Sequence, residues 1–308
     1  MHMDNLPLLS VRTGQHEQTF HGTWYRGGGA KFVPSRPMLK EPGAIDRYVL
    51  DGWLPDAPLI DRETPVTAFG SCFAFHISQW LTERGYRVNG SDLELDAHII
   101  RFGEGMVNSF AILEQFKWAL EGLSLEEGLW FGPGKEVALP TEEIRASTRE
   151  ILMRTRVFIL TLGLSEIWFD KVSGRAFWRA IPMHLFDESR HAFRVSTVAE
   201  NLANLAEISD LVERHVPGAT IVFTLSPIPL MATFRPISCI TANSASKAIL
   251  RVAIDELMRQ QRPRIHYFPS YEIVKDVYVD AFQDDYRHLK PAVIDFIMST
   301  FARHYCVA

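Results

Sequence analysis

The sequence has few cysteines, and they are not arranged in pairs. Cys72, Cys239 and Cys306 are the only three in 308 residues, and each lies far from the next. A disulfide framework or a zinc knuckle requires paired cysteine spacings, so neither is predicted. The histidines show no metal-ligand spacing either. We therefore expect neither a metal site nor a cofactor.

The chain also lacks an excess of basic charge and a long apolar run. Lys and Arg number 32 against 37 Asp and Glu, which gives a net charge of −5. A nucleic acid or an anionic membrane surface is therefore not an expected partner. The longest apolar stretch, around residues 157–164, is far shorter than the roughly 20 residues of a membrane span. Because the first residues also lack the segments of a secretory signal, we expect a cytoplasmic protein.

The composition is that of a globular chain with an unusual beginning. Hydrophobic residues make up 47% and charged residues 22% of the sequence, which is typical of a compact protein. Three consecutive glycines at 27–29 are followed by five prolines between positions 34 and 58, and this density prevents long helices. We predict that residues 1–60 form an extended, proline-rich arm that packs on one α/β domain at residues 61–308.

From residue 65 onward, apolar runs alternate with helical patterns. The predicted strands are apolar on both faces and comprise residues 66–69, 156–162, 219–225 and 265–268. Apolar residues at helical spacing predict helices that include residues 73–81, 202–212, 245–258 and 291–301. This alternation predicts a parallel sheet that is covered on both faces. Ligands bind beyond the carboxyl ends of such strands, so the residues after each run are the first candidates for function.

Ser71 comes directly after the first predicted strand, in the segment Gly70-Ser71-Cys72-Phe73-Ala74. A serine here presents its hydroxyl at the sheet edge, and its own N–H is among the unpaired donors of the helix start, which hold a developing oxyanion. Ser71 is therefore a candidate nucleophile, and a serine that only caps the helix is the alternative. Cys72 is a second candidate, but it has no obvious neighbouring cation, so a buried apolar thiol is the simpler interpretation.

Asp285 and His288 form a second candidate pair. At this spacing the carboxylate orients one imidazole nitrogen while the other nitrogen faces a nucleophile. Pro291 suits the first turn of the following helix, which puts the pair on the loop that enters it. A surface loop with unrelated charges has the same pattern and is the alternative.

Ser165 and Glu166 come after the most apolar strand, again at its carboxyl end. Ser165 is a candidate donor to an oxyanion, and Glu166 is a candidate for holding the loop. A capped helix start is the alternative. Other motifs are incomplete, since there is no dinucleotide-binding glycine triplet, no Walker loop and no complete nucleophile elbow.

Several segments together resemble the GSCFA family, which is related to the SGNH/GDSL hydrolases. Gly70-Ser71-Cys72-Phe73-Ala74 spells the motif that names the family. The likeness continues in order through further blocks at residues 102–108, 161–168, 226–229, 233–234, 242–251, 268–272 and 285–288. The resemblance implies a three-layer α/β/α sandwich around a mainly parallel sheet. It also implies that Ser71 is the nucleophile and that Asp285 and His288 are the Asp-x-x-His pair of the last SGNH block.

The same resemblance implies an oxyanion site and a reaction. SGNH enzymes hold the oxyanion with the serine N–H, a glycine of a second block and an asparagine of a third. Gly105 or Asn108 would supply the second donor, and Ser165 stands where the asparagine is expected. The implied function is hydrolysis of an ester on a small molecule or carbohydrate, with an O-acetyl sugar as the preferred substrate. An acyltransferase with the same triad and a non-catalytic carbohydrate-binding or assembly protein are the alternatives.

Overall fold

The computed structural model of the chain describes residues 8–13, 16–21, 30–89, 107–125, 141–178 and 180–307. The chain is divided into two compact units between residues 44 and 45. The first unit contains an antiparallel pair of strands, β1 (Leu8–Thr13) and β2 (His16–His21). The division into an arm at residues 1–60 and a domain at residues 61–308 stays a prediction.

The second unit alternates strands and helices. Its strands are β3 (Val66–Gly70), β4 (Val157–Leu162), β5 (Glu166–Asp170), β6 (His191–Val195), β7 (Thr220–Leu225) and β8 (Ile265–Phe268). The helices of the described residues are α1 (Ala44–Tyr48), α2 (Cys72–Glu83), α3 (Ser109–Glu121), α4 (Glu142–Arg154), α5 (Val198–His215), α6 (Cys239–Arg259), α7 (Ser270–Glu272) and α8 (Pro291–Tyr305). The four predicted strands correspond to β3, β4, β7 and β8.

The central sheet is parallel, and its strand order places a crevice at one edge. Strands β3, β4, β7 and β8 lie side by side in that order. Val88 forms a further parallel bridge to Val66 of β3. The chain thus lies on one side of β3 after α2 and returns on the other side as β4. Ligands of open parallel sheets bind at such a reversal, beyond the carboxyl ends of the strands.

Each face of the sheet contributes to a separate apolar core. Along β4, Phe158, Leu160 and Leu162 pack with helices α3, α5 and α6, whereas Val157 and Ile159 pack with α2 and α8. Successive side chains of a strand point to opposite faces, so a strand that is apolar at every position is buried on both sides. The predicted α/β/α sandwich around a mainly parallel sheet is confirmed.

Three parts of the second unit differ from the sequence expectations. Helices α3 and α4 were not predicted, and α6 begins at Cys239 instead of 245, because Asn243, Ser244 and Ser246 interrupt its apolar stripe. The chain after Ser165 forms the antiparallel pair β5–β6, so the alternative of a capped helix start is wrong. Isoleucine, tryptophan and phenylalanine in β5 favour a strand.

No helix of the described ranges has both the length and the apolar character needed to cross a bilayer.

Candidate active site

Ser71 lies at the carboxyl end of β3, where the chain turns into α2. Gly70 adopts φ +125°, and a Cβ at this position would lie 2.1 Å from the carbonyl oxygen of Thr161, so no other residue fits. Ser71 is the N-cap of α2, and its Oγ accepts a 3.2 Å hydrogen bond from the N–H of Phe73. The capping role is therefore confirmed. Because the hydroxyl accepts in this bond, its own proton remains to be donated to a base.

The backbone N–H of Ser71 is already engaged. It donates to the carbonyl oxygen of Thr161 at 3.1 Å, which extends the pairing of β3 with β4. The prediction that this N–H holds an oxyanion is therefore wrong in this conformation. The next amide, that of Cys72, belongs to the first turn of α2, where N–H groups lack partners within the helix. The prediction of a buried thiol at Cys72 concerns a side chain outside the described part of the structure.

Asp285 and His288 are in direct contact. One carboxylate oxygen of Asp285 accepts hydrogen bonds from the N–H groups of Arg287 at 3.0 Å and His288 at 2.9 Å. The other oxygen contacts Nδ1 of His288. The backbone donors of Arg287 and His288, followed by the imidazole, lower the pKa of Asp285 to about 2. The contact at Nδ1 leaves Nε2 of the imidazole for another partner.

The loop that carries this pair and the start of α2 border one cavity. Burial lowers the pKa of His76 in α2, and the charge of His288 lowers it further. Ser71 and Arg287 line the same cavity. Between the described atoms of Ser71 and His288 there is no direct hydrogen bond. Catalytic hydrogen bonds are often long before substrate binds, so this geometry is compatible with a nucleophile and its base.

Asn108 lies at the carboxyl edge of the sheet and lines the cavity. It is the N-cap of α3, and its Oδ1 accepts a 2.9 Å hydrogen bond from the N–H of Ala111. The carbonyl of the preceding Val107 accepts a 2.7 Å bond from the N–H of Gly163, which ties this helix start to the end of β4. The side-chain amide is thus oriented, with Nδ2 as its donor. Gly105, the other predicted donor, lies outside the described residues.

Ser165 is fully buried and joined to other parts of the fold. Its N–H donates to Oγ of Ser246 at 2.8 Å, and its own Oγ lies 3.2 Å from the same atom. Its carbonyl oxygen accepts bonds from the N–H and the Oγ of Ser196, both at 2.7 Å. All its polar groups are used in these contacts. We therefore correct the predicted role of Ser165 from an oxyanion donor to a residue that anchors the start of β5.

Glu166 lines the cavity and holds the segment between β7 and α6. Both of its carboxylate oxygens lie 2.9 Å from Oγ1 of Thr233, which donates to them. Burial raises the pKa of Glu166, although Thr233 and the charge of Arg235 oppose this shift. The loop that Glu166 holds by these hydrogen bonds is therefore the one that carries Thr233, and not the loop directly after β4.

A cavity of about 730 Å³ extends from Ser71. Its walls come from the ends of β4 and β7, the β5–β6 pair and the segments that precede β6 and α6. The lining is mostly apolar, and its aromatic residues are Trp168, Phe177, Phe186, Phe193 and Phe234. The polar residues of the lining are Ser71, Asn108, Glu166, Ser226 and Arg287. Within the ranges given above, no group of three or more His, Cys, Asp or Glu side chains is arranged to hold a metal ion.

The sequence matches one family model over most of its length. The matched residues are 65–301, and they include Ser71, Asp285 and His288 together with the cavity lining; the model is that of the GSCFA family. The chain belongs to the GSCFA family. The predicted resemblance is therefore confirmed for this GSCFA-family protein. No curated protein matches its sequence.

Solved structures similar to this GSCFA-family protein include two acyl-handling proteins. One is a family two carbohydrate esterase from Clostridium thermocellum in complex with cellohexaose, at 10% identity and a TM-score of 0.31. That match covers 80% of this chain and only 65% of the esterase chain. The other is the periplasmic domain of a lipopolysaccharide acetyltransferase from Salmonella ser. Paratyphi A, at 11% identity and a TM-score of 0.34, covering 87% and 92% of the two chains. At these scores neither likeness supports a conclusion about function.

The sequence interpretation assigned no role to Lys247 of the GSCFA-family protein. This lysine of α6 is 1% exposed, and its Nζ donates to the carbonyl oxygens of Gly163 and Ile228, both at 2.8 Å. Desolvation lowers its pKa to about 7. Gly163 and Ile228 both line the cavity, so the amine holds two of its walls together. The signal in the sequence is helical spacing, because Lys247 shares the buried stripe of Leu250 and Ile254.

Proposed function

We propose that the protein is a serine-dependent acyl hydrolase that cleaves an ester. Ser71 is the nucleophile, His288 is the general base, and Asp285 orients the imidazole. The observation that carries the proposal is the Asp285–His288 contact on a loop whose Arg287 lines the same cavity as Ser71. A carboxylate at Nδ1 keeps the imidazole in the tautomer whose Nε2 accepts a proton. The low pKa of Asp285 keeps this carboxylate charged at neutral pH.

The reaction has two steps. In the first, Oγ of Ser71 attacks the carbonyl carbon of the ester and its proton moves to Nε2 of His288. The tetrahedral intermediate then expels the alcohol, which takes the proton from the imidazolium, and Ser71 is left acylated. In the second step, water attacks the acyl group with His288 again as the base. The acid leaves and the serine is regenerated.

The oxyanion site in this proposal differs from the one that the resemblance implies. The N–H of Ser71 donates to the carbonyl of Thr161. We assign the developing negative charge to the N–H of Cys72, in the first turn of α2, and to Nδ2 of Asn108. The positive end of the α2 dipole favours the same charge. Each such donor stabilises the transition state by about 3 kcal/mol.

The two alternatives from the sequence differ in what supports them. An acyltransferase uses the same triad, and only an acceptor alcohol in place of water distinguishes it. The non-catalytic alternative was motivated by a serine where SGNH enzymes have an asparagine. Since Ser165 is a buried anchor and Asn108 offers an amide at the cavity, that substitution no longer argues against catalysis.

A fluorophosphonate that modifies activated serines tests the proposal. We expect one adduct, located on Ser71 by peptide mass spectrometry. His288→Ala removes the general base and abolishes labelling, whereas the control Ser165→Ala is labelled like the wild type. A folded protein that stays unlabelled, or that is labelled at another serine, would contradict the proposed nucleophile. Release of acid from the ester in water, without an added alcohol, separates the hydrolase from a strict transferase.

A further inference from the structure

The wall of the cavity opposite the strand ends is aromatic and is formed by three separate segments. Trp168 of β5 contacts Phe193 of β6, with ring centroids 5.5 Å apart. It also contacts Phe186 at 5.7 Å and Phe234 at 4.7 Å, which come from the segments before β6 and before α6. Rings that converge from distant parts of the chain form a continuous apolar surface. Such a surface stabilises a hydrocarbon ligand by removing it from water.

Two polar side chains of the lining, those of Glu166 and Ser226, are engaged with the protein itself. The carboxylate of Glu166 accepts from Thr233, and Oγ of Ser226 accepts a 3.3 Å bond from the N–H of Ile228. A sugar ring in this space would bury several hydroxyl groups without partners, and each buried hydroxyl without a hydrogen bond is unfavourable. The lining therefore favours a ligand whose buried part has no polar atoms.

The rim of the cavity is apolar as well. Met183, Met231 and Phe234 line it and are 94%, 76% and 64% exposed. Single exposed apolar residues are ordinary, but a group of them around one opening marks a binding site. The cavity volume of about 730 Å³ also exceeds what the two carbons of an acetyl group fill.

We propose that this cavity holds the acyl chain of the ester, and that the chain is a medium-length or long aliphatic chain. The inference rests on the proposed function, since it takes Ser71 at one end of the cavity as the group that attacks the carbonyl. The carbonyl carbon then lies at Ser71, and the hydrocarbon extends along Trp168 and Phe193. This substrate class differs from the O-acetyl sugar that the family resemblance implies.

Acyl chain length is the variable that tests the proposal. The substrates are p-nitrophenyl esters with 2, 4, 6, 8 and 10 acyl carbons, together with an O-acetylated sugar. Each methylene that enters an apolar pocket gains about 0.8 kcal/mol of transfer free energy, which corresponds to about fourfold in kcat/KM. We expect kcat/KM to rise by about this factor per carbon and to level off when the cavity is full. An acetyl ester as the best substrate, with a decline for longer chains, would overturn the proposal.

A variant that fills part of the cavity tests whether the size of this cavity sets the preferred acyl chain length. Ala232 is exposed at the rim and lines the cavity, so Ala232→Trp occupies room without removing a core contact. We expect its optimum to shift to shorter chains, because the indole occupies the space that the end of a longer chain would fill. Ala203→Trp, at an exposed position of α5, is the matched control and keeps the wild-type profile. An unchanged profile in Ala232→Trp would also refute the assignment.

Binding without turnover distinguishes failure of this inference from failure of the proposed function. Hexanoate, octanoate and decanoate are titrated calorimetrically into Ser71→Ala. We expect the affinity to rise about fourfold per methylene and to fall at least tenfold for decanoate when Ala232→Trp is added. If the affinities follow this pattern while the wild type cleaves no ester, the cavity binds acyl chains and the proposed nucleophile is wrong. If esters are cleaved but chain length affects neither binding nor rate, the hydrolase stands and the acyl-chain assignment falls.

Discussion

Ser71 and Ser165 come after neighbouring parallel strands of one sheet, yet they face different surroundings. Ser71 caps α2 and lines the cavity. Ser165 is fully buried, and its polar groups contact Ser246 and Ser196. The difference arises from the element that each strand leads into. After β3 a helix begins at once and keeps the serine at its open end, whereas after β4 the chain continues into β5 beneath α6.

The comparison shows that a serine at the carboxyl end of a strand is not thereby a functional residue. Both serines have a glycine shortly before them, and both lie where ligands of parallel sheets bind. Their hydrogen-bond partners decide between the two roles. Ser71 accepts one bond and keeps its proton to donate, while Ser165 uses its N–H, hydroxyl and carbonyl within the fold.

The largest effect that separates the two serines is expected in turnover. Ser71→Ala removes the proposed nucleophile, and we expect kcat/KM for an ester to fall by about 10⁴-fold or more. Ser165→Ala leaves kcat/KM within about tenfold, but it costs about 1–3 kcal/mol of unfolding free energy because buried partners lose a hydrogen bond. Ester hydrolysis and urea denaturation measure the two quantities. Equal losses of turnover in both variants would remove the distinction.

The second effect concerns Asp285, which in the proposed mechanism orients the base for Ser71. Asp285→Asn keeps the size of the side chain but allows the wrong imidazole tautomer, so we expect kcat to fall by about 10³–10⁴-fold. Asp285 is exposed and its side chain belongs to neither apolar core, so the urea midpoint should change little. The matched variant Asp284→Asn, at the preceding position, should retain wild-type kcat. Normal turnover in Asp285→Asn would show that the carboxylate has no part in the reaction.

The third effect is the loss of unfolding free energy when the glycine before each serine is replaced by alanine. A Cβ at Gly70 would lie 2.1 Å from the backbone oxygen of Thr161, and the residue has φ +125°. We expect Gly70→Ala to lose about 3 kcal/mol or more of unfolding free energy, since neither the backbone angle nor the neighbour can adjust. At Gly163 the Cβ would meet Cβ of Val107 at 2.8 Å, and we expect a loss of about 1–3 kcal/mol. Urea denaturation of both variants gives the order, which the reverse ranking would contradict.

A further effect is a dependence of stability on pH that comes from Lys247, which binds the carbonyl of Gly163. Its pKa is about 7 in the folded protein, below the value of about 10.4 in an unfolded chain. Between these two pH values the unfolded state binds more protons, so the free energy of unfolding rises with pH. We expect the wild type to gain stability from pH 7 to pH 9.5 relative to Lys247→Met. A constant difference between the two proteins in urea denaturation at both pH values would contradict the shifted pKa.

Much of the fold was predictable because its signals are local. Four strands that are apolar at nearly every position, with helical stripes between them, predicted a covered parallel sheet, and β3, β4, β7 and β8 confirm it. Helices α3 and α4 and the β5–β6 pair were missed. The β5–β6 pair depends on partners far along the chain, as the pairing of Trp168 with Phe193 shows.

The candidate site likewise has features that the sequence predicted and features that it did not. The sequence by itself determined the Gly70-Ser71 turn and the Asp285–His288 pair, since both depend on residues close together in the chain. Only the tertiary structure decided that Thr161 takes the N–H of Ser71, that Ser246 closes off Ser165, and that rings from three segments line one apolar cavity. The physical reason is that a hydrogen-bond partner or a cavity wall is contributed by residues distant in sequence, and no local pattern records their approach.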